Sequence, residues 1–368
     1  MERKNAWAAY AEDDSKVEAF AKAYCDFINN GKTERECVAY GEKLAKAHGF
    51  EDLNAVIREG KKLEAGARVY VNWMGKSFML FVLGEKPLEE GMNILGAHID
   101  SPRIDVKQNP LYEDTDLAYL DTHYYGGIKK YQWVAMPLAL HGVIIKKNGE
   151  KVLVNIGEDE NDPVFCISDL LIHLAQEQMA KNAKDVVEGE ALNLIVGGRP
   201  LAGEEKDAVK ANVLKLLDAK YGVEEEDFLS AELEIVPAGK ARDMGFDRSM
   251  ILGYGHDDRV CAYPSMMAVL DYEGTPDYTL CCIITDKEEI GSVGATGMAS
   301  HYLENTVAEL YACTADYCEL AVRRCLRNSR MLSSDVSAGY DPNFASAFEK
   351  KNSAFLGRGI CFNKFTGS

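Results

Sequence analysis

The chain has 368 residues, 47% hydrophobic and 27% charged, ordinary globular material long enough for one large domain or two. A net charge of −18 without any cluster of Lys and Arg excludes nucleic acid and anionic membrane surfaces as partners. The opening Met1-Glu2-Arg3-Lys4-Asn5 lacks a secretory apolar segment, and the longest apolar runs (78–83, 133–140, 280–284) fall far short of the ~18 residues of a membrane span. None of the ten cysteines forms a C-x-x-C pair, so they read as buried thiols of a reducing compartment. The expectation is a soluble, cytoplasmic protein.

Residues 15–29 repeat apolar side chains at helical spacing, and Thr33 with Glu36 forms a capping box that opens a second helix, ended by Gly49. Residues 68–83 read as a hairpin and 93–97 as a buried strand. That strand delivers Gly96-Ala97-His98-Ile99-Asp100-Ser101-Pro102-Arg103. Positions i and i+2 of an extended chain share a face, so His98 and Asp100 point together. An imidazole that binds a metal commonly gives its second N–H to a carboxylate or carbonyl, which fixes the tautomer; Asp100 suits that role, or orients a water.

The texture then changes. Loops rich in Asp and Tyr, a Gly126-Gly127 turn, a strand over 133–145, an Asn148-Gly149 hairpin, helices over 167–179 and 207–221 and a strand over 231–236 follow, none with a ligand constellation. His141 and His173 read as packed histidines. This block, 105–244, is expected to be a domain inserted into a catalytic domain made of 1–104 and 245–368, because candidate site residues lie on both sides of it.

Gly253-Tyr254-Gly255-His256-Asp257-Asp258-Arg259 places acids in a glycine-flanked bend before a helical run over 260–270. Residues 278–292 hold an apolar strand that breaks into Glu288, Glu289 and Gly291. Neighbours on an extended backbone face opposite ways, so one glutamate would grip a cation and the other face a water, the division of labour of a metal-assisted hydrolase. Helices over 297–310 and up to 326 precede a short strand ending at Asp335. The fold class is α/β. His98, Asp257, Glu289 and Asp335 offer one imidazole and three carboxylates, a mixture that suits zinc, cobalt or manganese.

GAHIDSPR, GHDDR, DKEEIGS and SSDV, in that order and with an insertion between the first two, resemble the aspartyl aminopeptidase / aminopeptidase I family of dinuclear zinc peptidases. THYYGGIKKYQW and AGKARDMGFDRS extend the likeness to essentially the whole chain. The resemblance implies a mixed central sheet flanked by helices, of zinc-exopeptidase type, with an inserted, mainly β domain. It implies two divalent metal ions per subunit, with His98 and Asp335 on the first, Glu289 on the second and Asp257 bridging. Glu288 would be the general base, with Asp100 behind the histidine. It further implies peptide substrates and a homo-oligomer, a tetrahedral dodecamer built through the inserted domain. A related deacylase or carboxypeptidase and a catalytically impaired assembly subunit are the competing readings. Aspartyl aminopeptidases carry a histidine where this chain has Asp169, which leaves the preferred N-terminal residue open. The family's further C-terminal histidine has no counterpart up to Phe365-Thr366-Gly367-Ser368. A truncated catalytic domain is therefore expected, with one metal held firmly, a second weakly and little activity, unless another side chain, His256 first, completes the site.

Overall fold

The computed structural model describes residues 4–364, so Phe365-Thr366-Gly367-Ser368 lies outside the described residues. The chain opens with helices α1 (Ser15–Asn30) and α2 (Glu34–Ala47). Thr33 accepts from the Glu36 amide and the Glu36 carboxylate accepts from the Thr33 amide, forming the capping box. There follow β1 (Glu51–Asp52), α3 (Leu53–Glu59), the hairpin β2 (Arg68–Trp73) and β3 (Ser77–Val82), and β4 (Met92–His98). A second run comprises β5 (Arg103–Asp114), β6 (Leu117–Tyr125), β7 (Leu138–Ile145), β8 (Lys151–Ile156), α4 (Gln176–Met179), β9 (Leu194–Gly197), α5 (Ala208–Tyr221) and β10 (Glu232–Pro237). The small hairpin β11 (Arg242–Met244) and β12 (Met250–Leu252) leads to α6 (His256–Leu270), β13 (Thr279–Thr285), α7 (Tyr302–Thr314), α8 (Glu319–Asn328) and β14 (Arg330–Ser333).

The first sheet has the order β1-β2-β3-β13-β4-β14. It is mixed: β13 runs antiparallel to β3 and parallel to β4, and β14 is parallel to β4. Both faces are covered, which is why its central strands read as unbroken apolar runs. Phe78, Leu80, Val82, Cys282 and Ile284 pack on one side with residues of α1, α2 and α6. Met79, Phe81, Cys281 and Ile283 pack on the other with residues of α3, α7 and α8. The second sheet, β8-β7-β10-β5-β6-β9, is antiparallel and builds its own core, including Ile104, Leu140, Leu194 and Ile235, beneath α5. Among the described residues no helix is long and apolar enough to cross a membrane.

Several expected elements are shorter. The strand expected over 133–145 starts at Leu138, because Ala135 takes φ +55° and Pro137 brings no N–H to a ladder. Only Gln176–Met179 of the helix expected over 167–179 is helical. Asp169 accepts from the Leu170 amide and from Gln178, a local alternative to helix. Leu170, Leu171, Ile172 and, after His173, Leu174 define no single helical face and lie 52–69% exposed. The helix expected from 297 begins at Tyr302, since Gly297 packs so closely on the Ser292–Val293 backbone that a Cβ there would sit 2.3 Å from the Ser292 oxygen.

A buried charge network ties the two sheets together where the chain passes between them. Arg103 contacts Glu34 (2.6 Å), Asp105 (2.7 Å) and Glu234 (3.2 Å), and Lys76 contacts Glu34, Glu232 and Glu234. Burial opposes ionisation of Glu34, but Arg103 and Lys76 hold its carboxyl below the usual range, while burial and the adjacent Glu34 push Glu234 up.

Candidate metal centre

The parallel strands β4, β13 and β14 end at one edge of the first sheet, the edge at which α/β sheets carry their ligands. His98 is the last residue of β4, paired with Thr285 at the end of β13. Beyond β14, the Ser334 amide donates to the Gly96 carbonyl, which brings Asp335 to the same edge. At the start of α6, Gly255 takes φ +82°, and Asp257 and Asp258 both leave helical geometry. Their carboxylates therefore turn into one pocket instead of diverging around a helix.

His98 Nε2 lies 3.2 Å from Asp257 Oδ1, 3.7 Å from Glu288 Oε2 and 3.9 Å from Asp335 Oδ1. Donor atoms of His98, Asp257 and Glu289 lie within 4.8 Å of one another, and so do those of His98, Asp258 and Asp335. His98, Asp257, Glu288, Glu289 and Asp335 are thus brought to one place. Asp258 is the addition: it is fully buried, with Oδ2 3.4 Å from the His98 amide, and its only sequence signal was adjacency to Asp257. An imidazole nitrogen has one lone pair and serves one cation, whereas a carboxylate has two oxygens, so only an acid can bridge this pocket.

Glu288 and Glu289 depart from the extended geometry expected of them. They sit in a single 3₁₀ turn, Glu288–Ile290, entered through Lys287 at φ +66°. Asp100 anchors that turn: the Glu288 amide donates to its Oδ1 and the Glu289 amide to its Oδ2, each at 3.1 Å. Tyr125 donates its hydroxyl to Oδ2 at 2.8 Å, and His98 Nδ1 lies 3.2 Å from Oδ1 and 3.0 Å from the Asp100 carbonyl. Asp100 is fully buried, with its oxygens turned to the His98 ring, the Tyr125 hydroxyl and the two amides. With Nδ1 against the Asp100 carboxylate and carbonyl, Nε2 is the nitrogen that faces the pocket.

Whether these residues fit a metal is tested by what they lack. His98 Nε2, Asp257 Oδ1, Asp258 Oδ1 and Glu289 Oε1 are buried with no hydrogen-bond partner. Native proteins seldom leave such atoms unpaired. Burial pushes Glu289 and Asp258 up to about 7, with neighbouring acids adding to it. Burial pulls His98 down, but Asp100 and Asp257 hold it up to about 11. Glu289 and Asp258 favour protonation where they stand, which marks a pocket short of positive charge that a divalent cation would supply. The nitrogen and oxygen donors suit zinc, cobalt or manganese.

His256 takes no part. Its Nδ1 pairs with the Tyr24 hydroxyl at 2.8 Å and its Nε2 with the Ile251 carbonyl at 3.1 Å. His256→Asn is expected to leave metal content unchanged by elemental analysis; a lost ion would return His256 to the ligand set. His141 is packed as expected, between Glu36 and Glu158. His173 is exposed, contrary to expectation, because the helix meant to bury it does not form.

A family model described as aminopeptidase I zinc metalloprotease (M18) matches residues 27–367. A probable M18 family aminopeptidase 1 of Clostridium acetobutylicum is 57% identical over 369 residues, covering all of this chain and 79% of the relative. The crystal structure of aminopeptidase I from that organism superposes with a TM-score of 0.90 at 55% identity, covering 100% of this chain and 80% of the other. That of an M18 aminopeptidase from Thermotoga maritima gives 0.91 at 41% identity, covering 98% and 78%. The S. cerevisiae mApe1 dodecamer shares the fold at 21% identity and a TM-score of 0.73, covering 92% and 76%.

Proposed function

Because the chain belongs to the aminopeptidase I (M18) family of zinc metalloproteases and is a metal-dependent aminopeptidase, we propose that the pocket below β4, β13 and β14 is its active site and takes two divalent ions, zinc by family. His98, Asp335 and Asp257 would hold one and Asp257 with Glu289 the other, with Asp258 close enough to share the first. Bound there, the ions lower the pKa of water and polarise the first peptide carbonyl. Glu288 takes the proton of the attacking water and returns it to the leaving amine. Its side chain is half exposed toward the pocket and belongs to neither donor group, whereas Glu289 Oε1 is buried among the donors. The single observation that carries the reading is the set of partnerless buried acceptors around His98 Nε2. Elemental analysis together with hydrolysis of aminoacyl anilides in zinc, cobalt or manganese tests it. At least one ion retained per chain is expected, with any release of the N-terminal residue lost when that ion is removed, and a chain that holds no metal would refute it.

The second sheet reads as an inserted assembly module, 105–244, through which the chain forms a homo-oligomer, and a tetrahedral dodecamer is the arrangement we favour. The exposed Leu170, Leu171, Ile172 and Leu174 support this, as an apolar patch of this kind marks an interaction surface. Deleting the block would also remove Tyr125 from Asp100, so point changes are the cleaner test. Leu171→Glu with Ile172→Glu is expected to give smaller particles by light scattering, and unchanged particles would count against the assignment.

A further inference from the structure

We propose that Tyr125, at the end of β6 in the second sheet, is a positioning residue of the metal centre in the first, and that the corner it forms with Gly126 sets both the histidine and the glutamates. This rests on the active-site reading above. Tyr125 stands opposite Arg103 in the β5–β6 ladder, and the Arg103 guanidinium lies 3.8 Å from its ring centroid. Three carboxylates fix that guanidinium, so the ring has little freedom. At 8% exposure it does not reach substrate. Its hydroxyl donates to Asp100 Oδ2, the oxygen that also accepts from the Glu289 amide, while Oδ1 accepts from the Glu288 amide beside His98 Nδ1. One carboxylate therefore sets the imidazole and the 288–289 turn together, and Tyr125 fixes its orientation.

The next residue touches the same turn from outside. Gly126 has φ +71°, and a Cβ there would lie 3.3 Å from Glu289 Cβ and 3.5 Å from Glu289 Oε2. Only glycine lets the backbone approach the glutamate this closely without strain.

Tyr125→Phe keeps the ring over Arg103 and removes only the donor. Groups that orient metal ligands typically contribute about 10–100-fold to metal affinity or activity. In a zinc-buffered titration of the metal-free chain we expect zinc to bind about tenfold to a hundredfold more weakly. At saturating zinc, kcat per folded, zinc-loaded site, with the folded fraction counted by denaturation, should fall with KM little changed. If Tyr125 acts through Asp100, adding Tyr125→Phe to Asp100→Asn costs nothing further. Gly126→Ala should weaken zinc binding by displacing Glu289, and it keeps the test open if Tyr125→Phe folds poorly. Wild-type zinc affinity and kcat in both single variants, or full additivity with Asp100→Asn, would overturn the inference while leaving the active-site reading intact. A wild-type chain that binds no zinc would overturn both.

Discussion

Glu288→Gln is expected to keep its metal and lose about 10²–10⁴ in kcat, because a neutral amide cannot take a proton from the attacking water. That is about 3–5 kcal/mol of transition-state stabilisation. Glu289→Ala is its counterpart: it removes a buried donor from the cluster and should lose metal as well as activity. Elemental analysis beside steady-state kinetics separates the two. Near-normal kcat in Glu288→Gln would show that some other group accepts the proton, and full metal content in Glu289→Ala would take that residue out of the ligand set.

Arg103→Ala is expected to be the most destabilising single change outside the pocket. Arg103 is 4% exposed, with Glu34 fully buried and Glu234 2% exposed on either side. Truncating it leaves two buried carboxyls with only Lys76 between them. Breaking a buried pair from one side typically costs about 3–5 kcal/mol, because the remaining charge stays unpaired. Chemical denaturation should report a loss of that size. A change within about 0.5 kcal/mol, the range of an ordinary surface substitution, would mean that Glu34 and Glu234 share a proton without needing the guanidinium. Arg103→Lys should recover only part of the loss, since an ammonium cannot reproduce the fork that meets three carboxylates.

What could be read from the sequence follows from how local each signal is. The run ending in His98 and the run before Asp286 are apolar on both faces, and a buried strand that stops at polar residues announces a sheet edge where chemistry can sit. The capping box at Thr33 and the hairpin over 68–83 are equally local. Asp258 has no sequence signal beyond its neighbour, because an ordinary helix start turns adjacent side chains apart. The turn of Glu288 and Glu289 is not legible locally, because Asp100, which anchors it, lies far away in the chain. Tyr125 lies within THYYGGIKKYQW, but nothing local marks its hydroxyl contact, which comes from the fold that sets it opposite Arg103 and against Asp100. The missing turns of the helix expected over 167–179 show the converse, an apolar run without an amphipathic period.

The pairing of β4 has a consequence for how the protein is made. Its two neighbours, β13 and β14, are both encoded far downstream, beyond the whole second sheet. On the ribosome, at ~5–20 residues per second, His98 emerges on the order of tens of seconds before Glu288 and Asp335. On the reading proposed above, the pocket is incomplete throughout that interval, so a partly made chain is expected to hold no metal at this site.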